Sequence, residues 1–225
     1  MRIGMDKKTV NILALRSLAR YAECGVQVFF QEKRDPATGE RLGIKEPVTL
    51  FIDNSGDFNE YPLECIECVM VRFTGPPEWS YICGKKIKVS IGFKVILLAK
   101  FSGSDTYEII NLPEDIGIRC TTLYDLTEPQ VSRSIYQTMK IVGDRFVYTM
   151  IIPLSEFEGI LPQDDIFTVI AAFRNMTWNA EIGDTGFYGI GSPPVLSTRV
   201  DLSIFYDILV QIAVEEEITV SGTVE

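Results

Sequence analysis

Cys65-Ile-Glu-Cys68, with Cys83 fifteen residues further on, has the donor type and part of the spacing of a zinc ribbon. A fourth thiolate would have to come from Cys24 or Cys120, neither of which has a local partner. On a regular strand Cys65 and Cys68 would face opposite sides, because their separation is odd. Asp53, Ser55, Asp57 and Glu64 fall at positions one, three, five and twelve of a calcium loop, but Phe58 stands where such a loop needs glycine. Asp164-Asp165 and the run Glu215 to Glu217 could do acid-base work, yet adjacent carboxylates are ordinary in solvated loops and strand ends. The chain has no histidine, which removes Ser-His and Cys-His nucleophiles and His-ligated metals. Gly186, Gly189 and Gly191 in GFYGIG lack dinucleotide-binding spacing and suit a loop near a sheet edge. The expectation is a protein without enzyme activity, catalytic residues, cofactor or bound metal.

Without catalytic chemistry, the remaining polar and thiol groups point to association. Five cysteines (Cys24, Cys65, Cys68, Cys83 and Cys120) cannot all pair within one chain. They read either as reduced, small apolar residues or as donors of intermolecular disulfides. Net charge is −10, unevenly placed: residues 1–100 balance to +3 and residues 101–225 to −13. That split favours head-to-tail contact between copies. An acidic total argues against nucleic acid as a partner. No apolar run approaches the length of a membrane span, about 20 residues. Arg16 and Arg20 interrupt the apolar patch near the N-terminus, so no signal peptide and synthesis in a cytoplasm are expected. Asn175-Met176-Thr177 matches a glycosylation acceptor, which carries weight only in a secreted chain.

The elements that must carry these residues are strands. Hydrophobic residues make up 46% of the chain, with β-branched and aromatic types frequent and helical periodicity scarce. Residues 1–23 read as a separate arm or short helix, from the partial helical spacing of Val10, Leu13, Leu15 and Leu18. The turn-rich DPATGER between GVQVFF and PVTLFI predicts a hairpin, and so does Gly143-Asp144 between two apolar runs. SIGFKVILLAKF (90–101) is echoed by SIFYDILVQIAV (203–214). PPEWS is echoed by PPVLS, VTLFI by YTMII, CVMVRF by TVIAAF, and the loop with Phe58 by the loop with Phe157. Five features in one order argue for a duplicated unit. The expected fold is mainly β: two similar antiparallel sandwich or barrel-like modules, 24–112 and 131–225, with a linker at 113–130 and the arm 1–23 in front. The runs VILLA and DILVQIAV lack clean alternation, which predicts strands covered on both faces. Stacked copies of the unit would set Lys88, Lys94 and Lys100 against Asp201 and Asp207.

RFVYTMIIPLSEFEGILP (145–162), followed by TVIAAF and VDLSIFYDILVQIAV, resembles the SPOCS-type β-domain of clostridial spore proteins, which often occurs in tandem. The first half departs from that pattern, with Asp53 where the proline stands. The resemblance implies a spore-coat or spore-surface structural protein and carries over no catalytic residue. A filament, appendage or coat layer assembled head to tail is the leading expectation, with Cys24 meeting a cysteine of its neighbour. The alternatives are a phage or virus tail-tube or decoration protein, and a carbohydrate-binding β-module using Trp79, Trp178 and the GFYGIG loop.

Overall fold

A computed structural model of the chain describes residues 7–56, 60–122, 135–163, 166–188 and 195–223. The strands in chain order are β1 (Lys7–Phe29), β2 (Gln31–Arg34), β3 (Arg41–Glu46), β4 (Val48–Asp53), β5 (Leu63–Phe73), β6 (Glu78–Ile82) and β7 (Lys86–Phe101). They continue as β8 (Tyr107–Leu112), β9 (Cys120–Thr122), β10 (Tyr136–Val142), β11 (Arg145–Pro153), β12 (Glu158–Gly159), β13 (Thr168–Phe187) and β14 (Leu196–Thr223). A 3₁₀ turn, Leu154–Glu156, joins β11 to β12. Among the described residues, these strands pair with one another antiparallel throughout.

Two large sheets face each other. One is built on β14, with β1, β4 and β13 beside it and β12 and β9 outside; the other is built on β7, with β5, β6, β8 and β11 beside it and β10 outside. The two echoed stretches are therefore the central strands of opposite sheets. Every second residue of β7 from Ile87 to Phe101 is buried, and so is every second residue of β14 from Val200 to Ile212. The intervening Ile96, Leu98, Phe205 and Leu209 are half-buried. The alternation is thus present in burial though blurred in sequence, because the outer faces of these strands also carry apolar side chains. Within one chain these strands are fully covered on the inner face and partly covered on the outer one.

The other echoed segments also occupy matching places. β5 lies beside β7, and β13 lies beside β14, each within its own half of the chain. The segments VTLFI and YTMII are exchanged: β4 pairs with β14, and β11 pairs with β7. Each sheet therefore takes strands from both sides of 113–130, and one core unites them. The boundaries read from the sequence do not divide the sheets, since the exchange requires each half to complete the other.

The second expected hairpin forms as read, and the first forms inside its expected span, while GVQVFF and VTLFI pair with successive stretches of β14 instead of with each other. In the first, β2 and β3 pair around a tip where the Asp35 carboxylate accepts from the Ala37 amide at 2.7 Å. In the second, Gly143 takes φ 61 between the paired residues Val142 and Arg145, a conformation that disfavours other residues. The segment NMTWNAEIGDTGF is the body of β13, so Gly186 of GFYGIG, read as part of a loop, stands on a strand. Two register shifts, at Arg174/Thr177 and Ile182/Thr185, absorb its glycine and asparagine content as bulges. Of GFYGIG, Gly189 and Gly191 lie outside the described residues.

The N-terminal segment is neither a detached arm nor a helix from Lys7 onward. It is the first part of β1 and pairs along β14. β12 pins the middle of β1 at Ala19 and Arg20, and the Ile160 amide donates to the Leu18 carbonyl at 3.0 Å. At Gly159, φ is 122, and an added Cβ would lie 2.3 Å from that same carbonyl oxygen. Gly159→Ala is therefore expected to lower unfolding free energy by about 1–3 kcal/mol in urea titration, since strain and clash act together. A midpoint equal to that of the parent chain would contradict the close approach.

Candidate assembly surface

Beyond the core, β1 and β14 continue alone as a two-stranded ribbon. Their register runs unbroken from Lys7↔Thr223 to Ser17↔Ala213, eleven pairs, or roughly 35 Å of extended chain. Among the described residues, no other strand pairs with β1 before Ala19 or with β14 after Ala213. Ile12 and Ile218 are cross-strand partners, and both are nearly half exposed; Leu13 is 67% exposed and Leu15 49%. Glu215, Glu216 and Glu217 are exposed on the facing strand, and Arg16 Nε meets Glu216 Oε2 at 3.1 Å. An isolated two-stranded ribbon is marginal in water. This one also leaves four large apolar side chains in solvent.

The charges expected to drive association are mostly engaged within the chain. Lys94 bonds to Glu114 and lies 3.0 Å from Asp144, and Lys100 lies 3.5 Å from Glu64. Asp201 accepts from Thr49 Oγ1 and from Arg199, each at 2.7 Å. Asp207 accepts from the Gly25 amide and from Asn175 Nδ2, each at 2.8 Å, and these bonds hold its carboxyl below the usual range. Lys88 is exposed on the outer side of β7. Each of these four groups sits opposite a strand or turn that supplies a counter-charge or donor within the chain. The one glycosylation-type asparagine, Asn175, is the residue that holds Asp207.

The cysteines divide by environment. Cys24 and Cys83 are exposed, while Cys65 and Cys68 are half-buried. Register shifts at Leu63/Cys65 and Ile66/Cys68 give β5 a burial period of three, with Leu63, Ile66 and Val69 inward. Cys65 and Cys68 lie opposite Lys100 and Leu98, so both share the outer face. The odd spacing misleads because bulges reset the alternation. Cys120 is 1% exposed, and burial pushes its thiol up to about 12. It is out of reach of another chain. Maleimide labelling of the native protein is expected to modify Cys24 and Cys83 fastest and Cys120 only on unfolding. Fast native labelling of Cys120 would refute this order.

Among the described residues, no group of three or more cysteine and acidic side chains is placed to hold a metal ion. Asp53 accepts from Ser197 Oγ at 2.8 Å, Glu64 bonds with Lys100, and Ser55 bridges Tyr61 through the backbone. The calcium-like spacing thus falls on a strand end, a bridge and the neighbouring strand. Asp57, Phe58, Asp164 and Asp165 lie outside the described residues. The tryptophans separate. Trp178 packs against the core on β13, whereas Trp79 is 38% exposed and stacks on Phe167 at 5.8 Å, with Tyr81 edge-on to the same ring.

Sequence reading marked the N-terminal segment as special but missed its partner, Ala213 to Thr223. The usable signal was charge. The charged residues of the first stretch, from Lys7 to Arg20, are all basic, and its partner holds the run Glu215 to Glu217.

Fold and surface together define a β-sandwich-like, mainly β protein with a projecting two-stranded ribbon. The chain belongs to the family described as "Domain of unknown function (DUF8305)", whose model matches residues 1–225. No curated protein and no solved structure matches it. No helix is long and apolar enough to cross a membrane among the described residues.

Proposed function

We propose that the chain is a non-enzymatic structural subunit that associates with further copies of itself into a filament, appendage or coat layer. The observation that carries this reading is the ribbon. Its two strand edges have no strand partner among the described residues, and the side chains of Ile12, Leu13, Leu15 and Ile218 are exposed. The exposed thiols Cys24 and Cys83 would suit covalent cross-linking after assembly in an oxidising setting. A bacterial spore surface is the setting supported by the SPOCS-type resemblance of 145–162. A phage or virus particle is the alternative, separated from it by whether the gene lies among tail genes or sporulation genes. Sedimentation velocity and negative-stain microscopy test the proposal, with ordered multimers expected. A monomer at every accessible concentration would defeat it.

A second reading has its own observation. Trp79 and Tyr81, both exposed, stand around the half-buried Phe167 ring, the kind of aromatic face on which sugars stack. Glycan-array binding lost in Trp79→Ala, with assembly unchanged, would favour a carbohydrate-binding module.

A further inference from the structure

The two faces of the ribbon differ. Residues directly opposite on paired strands share a face, so Leu13 and Leu15 of β1 stand beside Glu217 and Glu215 of β14. Glu216 belongs to the other face, where it meets Arg16. Glu215 and Glu217 are exposed and meet no cation among the described residues. This face therefore carries a column of leucines and, one strand over, a column of unanswered carboxylates. Both columns step by two residues.

The outer face of the second sheet repeats that pattern with the opposite charge. Lys86 and Lys88 of β7 are exposed and pair in register with Pro153 and Ile151 of β11, which are half-buried. Neither lysine has a carboxylate partner among the described residues, unlike Lys94 and Lys100 of the same strand. Glu78 of β6 lies one row further on, opposite Ser90, and bonds to neither lysine. Here too an apolar column runs beside a charged one, with the same step of two residues.

The two patterns fit each other. In both, rows lie about 7 Å apart along the strands and columns about 5 Å apart across them. β-Sheets pack face to face with strands nearly aligned, within about 30°. In one in-plane orientation the leucines then cover Ile151 and Pro153, and the carboxylates meet Lys86 and Lys88. Turning the ribbon end for end would exchange the columns, so the charges also fix its direction.

A chain cannot make this contact with itself. The ribbon prolongs the first sheet, whereas Lys86 and Lys88 lie on the far side of the second, opposite to the buried Ile87 and Val89. The contact joins different surfaces, so each copy gives one ribbon and receives another, and the arrangement repeats from copy to copy.

We propose that the ribbon face bearing Leu13, Leu15, Glu215 and Glu217 docks, as a third β layer, on the Lys86 and Lys88 face of a second copy of this chain. This rests on the self-assembly reading and names its partner and its junction. The test is sedimentation velocity on full-length K86E/K88E, full-length E215K/E217K and the chain combining all four changes, with circular dichroism to check folding. Each double variant is expected to assemble only at concentrations at least tenfold above the parent's. The combined chain, with both charges exchanged, is expected to assemble within about threefold of the parent's concentration. Loss of a fold or of a strand pairing would not be repaired by adding two more substitutions, so recovery reports the junction between copies. A folded combined chain that stays dissociated would overturn the proposal, and so would E215K/E217K assembling like the parent.

Acylation of the parent chain by a succinimidyl ester, read by peptide mass spectrometry, covers the case in which a variant does not fold. Lys86 and Lys88 should react at least tenfold more slowly in assembled than in dilute protein, while the exposed Lys33 of β2 keeps its rate. Multimers in which Lys86 and Lys88 react unchanged would leave self-assembly standing and remove this junction. A strictly monomeric parent chain would remove both.

Discussion

Phe146→Ala is expected to lower the unfolding free energy by about 3–5 kcal/mol, the range for truncating a fully buried aromatic ring. Phe146 is 0% exposed and lies directly opposite Phe93 across the β11–β7 ladder, with ring centroids 5.6 Å apart. Phe29 of the other sheet meets it edge-on at 5.0 Å and 81°, the arrangement favoured by the ring quadrupoles. Three rings from β1, β7 and β11 thus join the two sheets, and also the first and second halves of the chain. Alanine leaves a cavity whose walls are strands fixed on both sides, so little collapse is available to soften the cost. Phe146→Leu, which keeps most of the volume, should cost less than half as much. Urea unfolding in dilute protein measures both, because any self-association would add its own stabilisation. A loss under about 1 kcal/mol for the alanine variant would show that the ring is not at the junction of the sheets.

That junction also explains what the sequence could and could not reveal. Strand content, the two hairpins and the two central strands follow from local chemistry: turn residues at Asp35 and Gly143, and branched apolar runs in β7 and β14. The exchange of β4 and β11 between sheets has no local signature, because either strand would look the same beside its own half. Bulges defeated the parity arguments. Cys65 and Cys68 share a face, and β13 runs through a segment rich in glycine and asparagine, because one extra residue resets alternation. The ribbon was hidden for a different reason. Leu13 and Leu15 on one face and Ile12 on the other give no single apolar stripe, so the spacing could pass for a poor helix. Only its pairing with residues two hundred positions away identifies it as a strand. Composition indicated opposite charges at Lys94, Lys100, Asp201 and Asp207 but not the neighbours on adjoining strands and turns that pair with them within the chain.

Lys45→Met is expected to stabilise the protein near neutral pH and to remove a rise in stability that the parent shows between pH 8 and 10.5. Lys45 sits on β3 with Nζ over the Phe30 ring at 4.5 Å, donating to the Gln27 carbonyl at 3.3 Å and to Gln137 Oε1. Burial disfavours its charged form and lowers its pKa to about 8, against a partial opposing pull from Glu23. Below pH 8 the ammonium is charged in both folded and unfolded chains, and the folded state bears the cost of desolvating it. Between about 8 and 10.5 the unfolded chain holds the proton that the folded chain has released. Stability therefore rises with pH through that window and levels off above it. The full difference is roughly 2–3 kcal/mol after allowing for the lysine's partial exposure. Cys120 acts in the opposite sense. Its folded pKa of about 12 lies above the unfolded value near 9, so its contribution falls as pH rises past 9. The difference between parent and Lys45→Met, titrated in urea from pH 6.5 to 10.5, cancels the thiol and isolates the lysine. Methionine keeps the apolar stem against Phe30 without the charge, so the variant should lead by the greatest margin at pH 7 and lose that margin by pH 10.5. A margin that does not change with pH would mean that the lysine keeps an ordinary affinity for its proton in the folded chain.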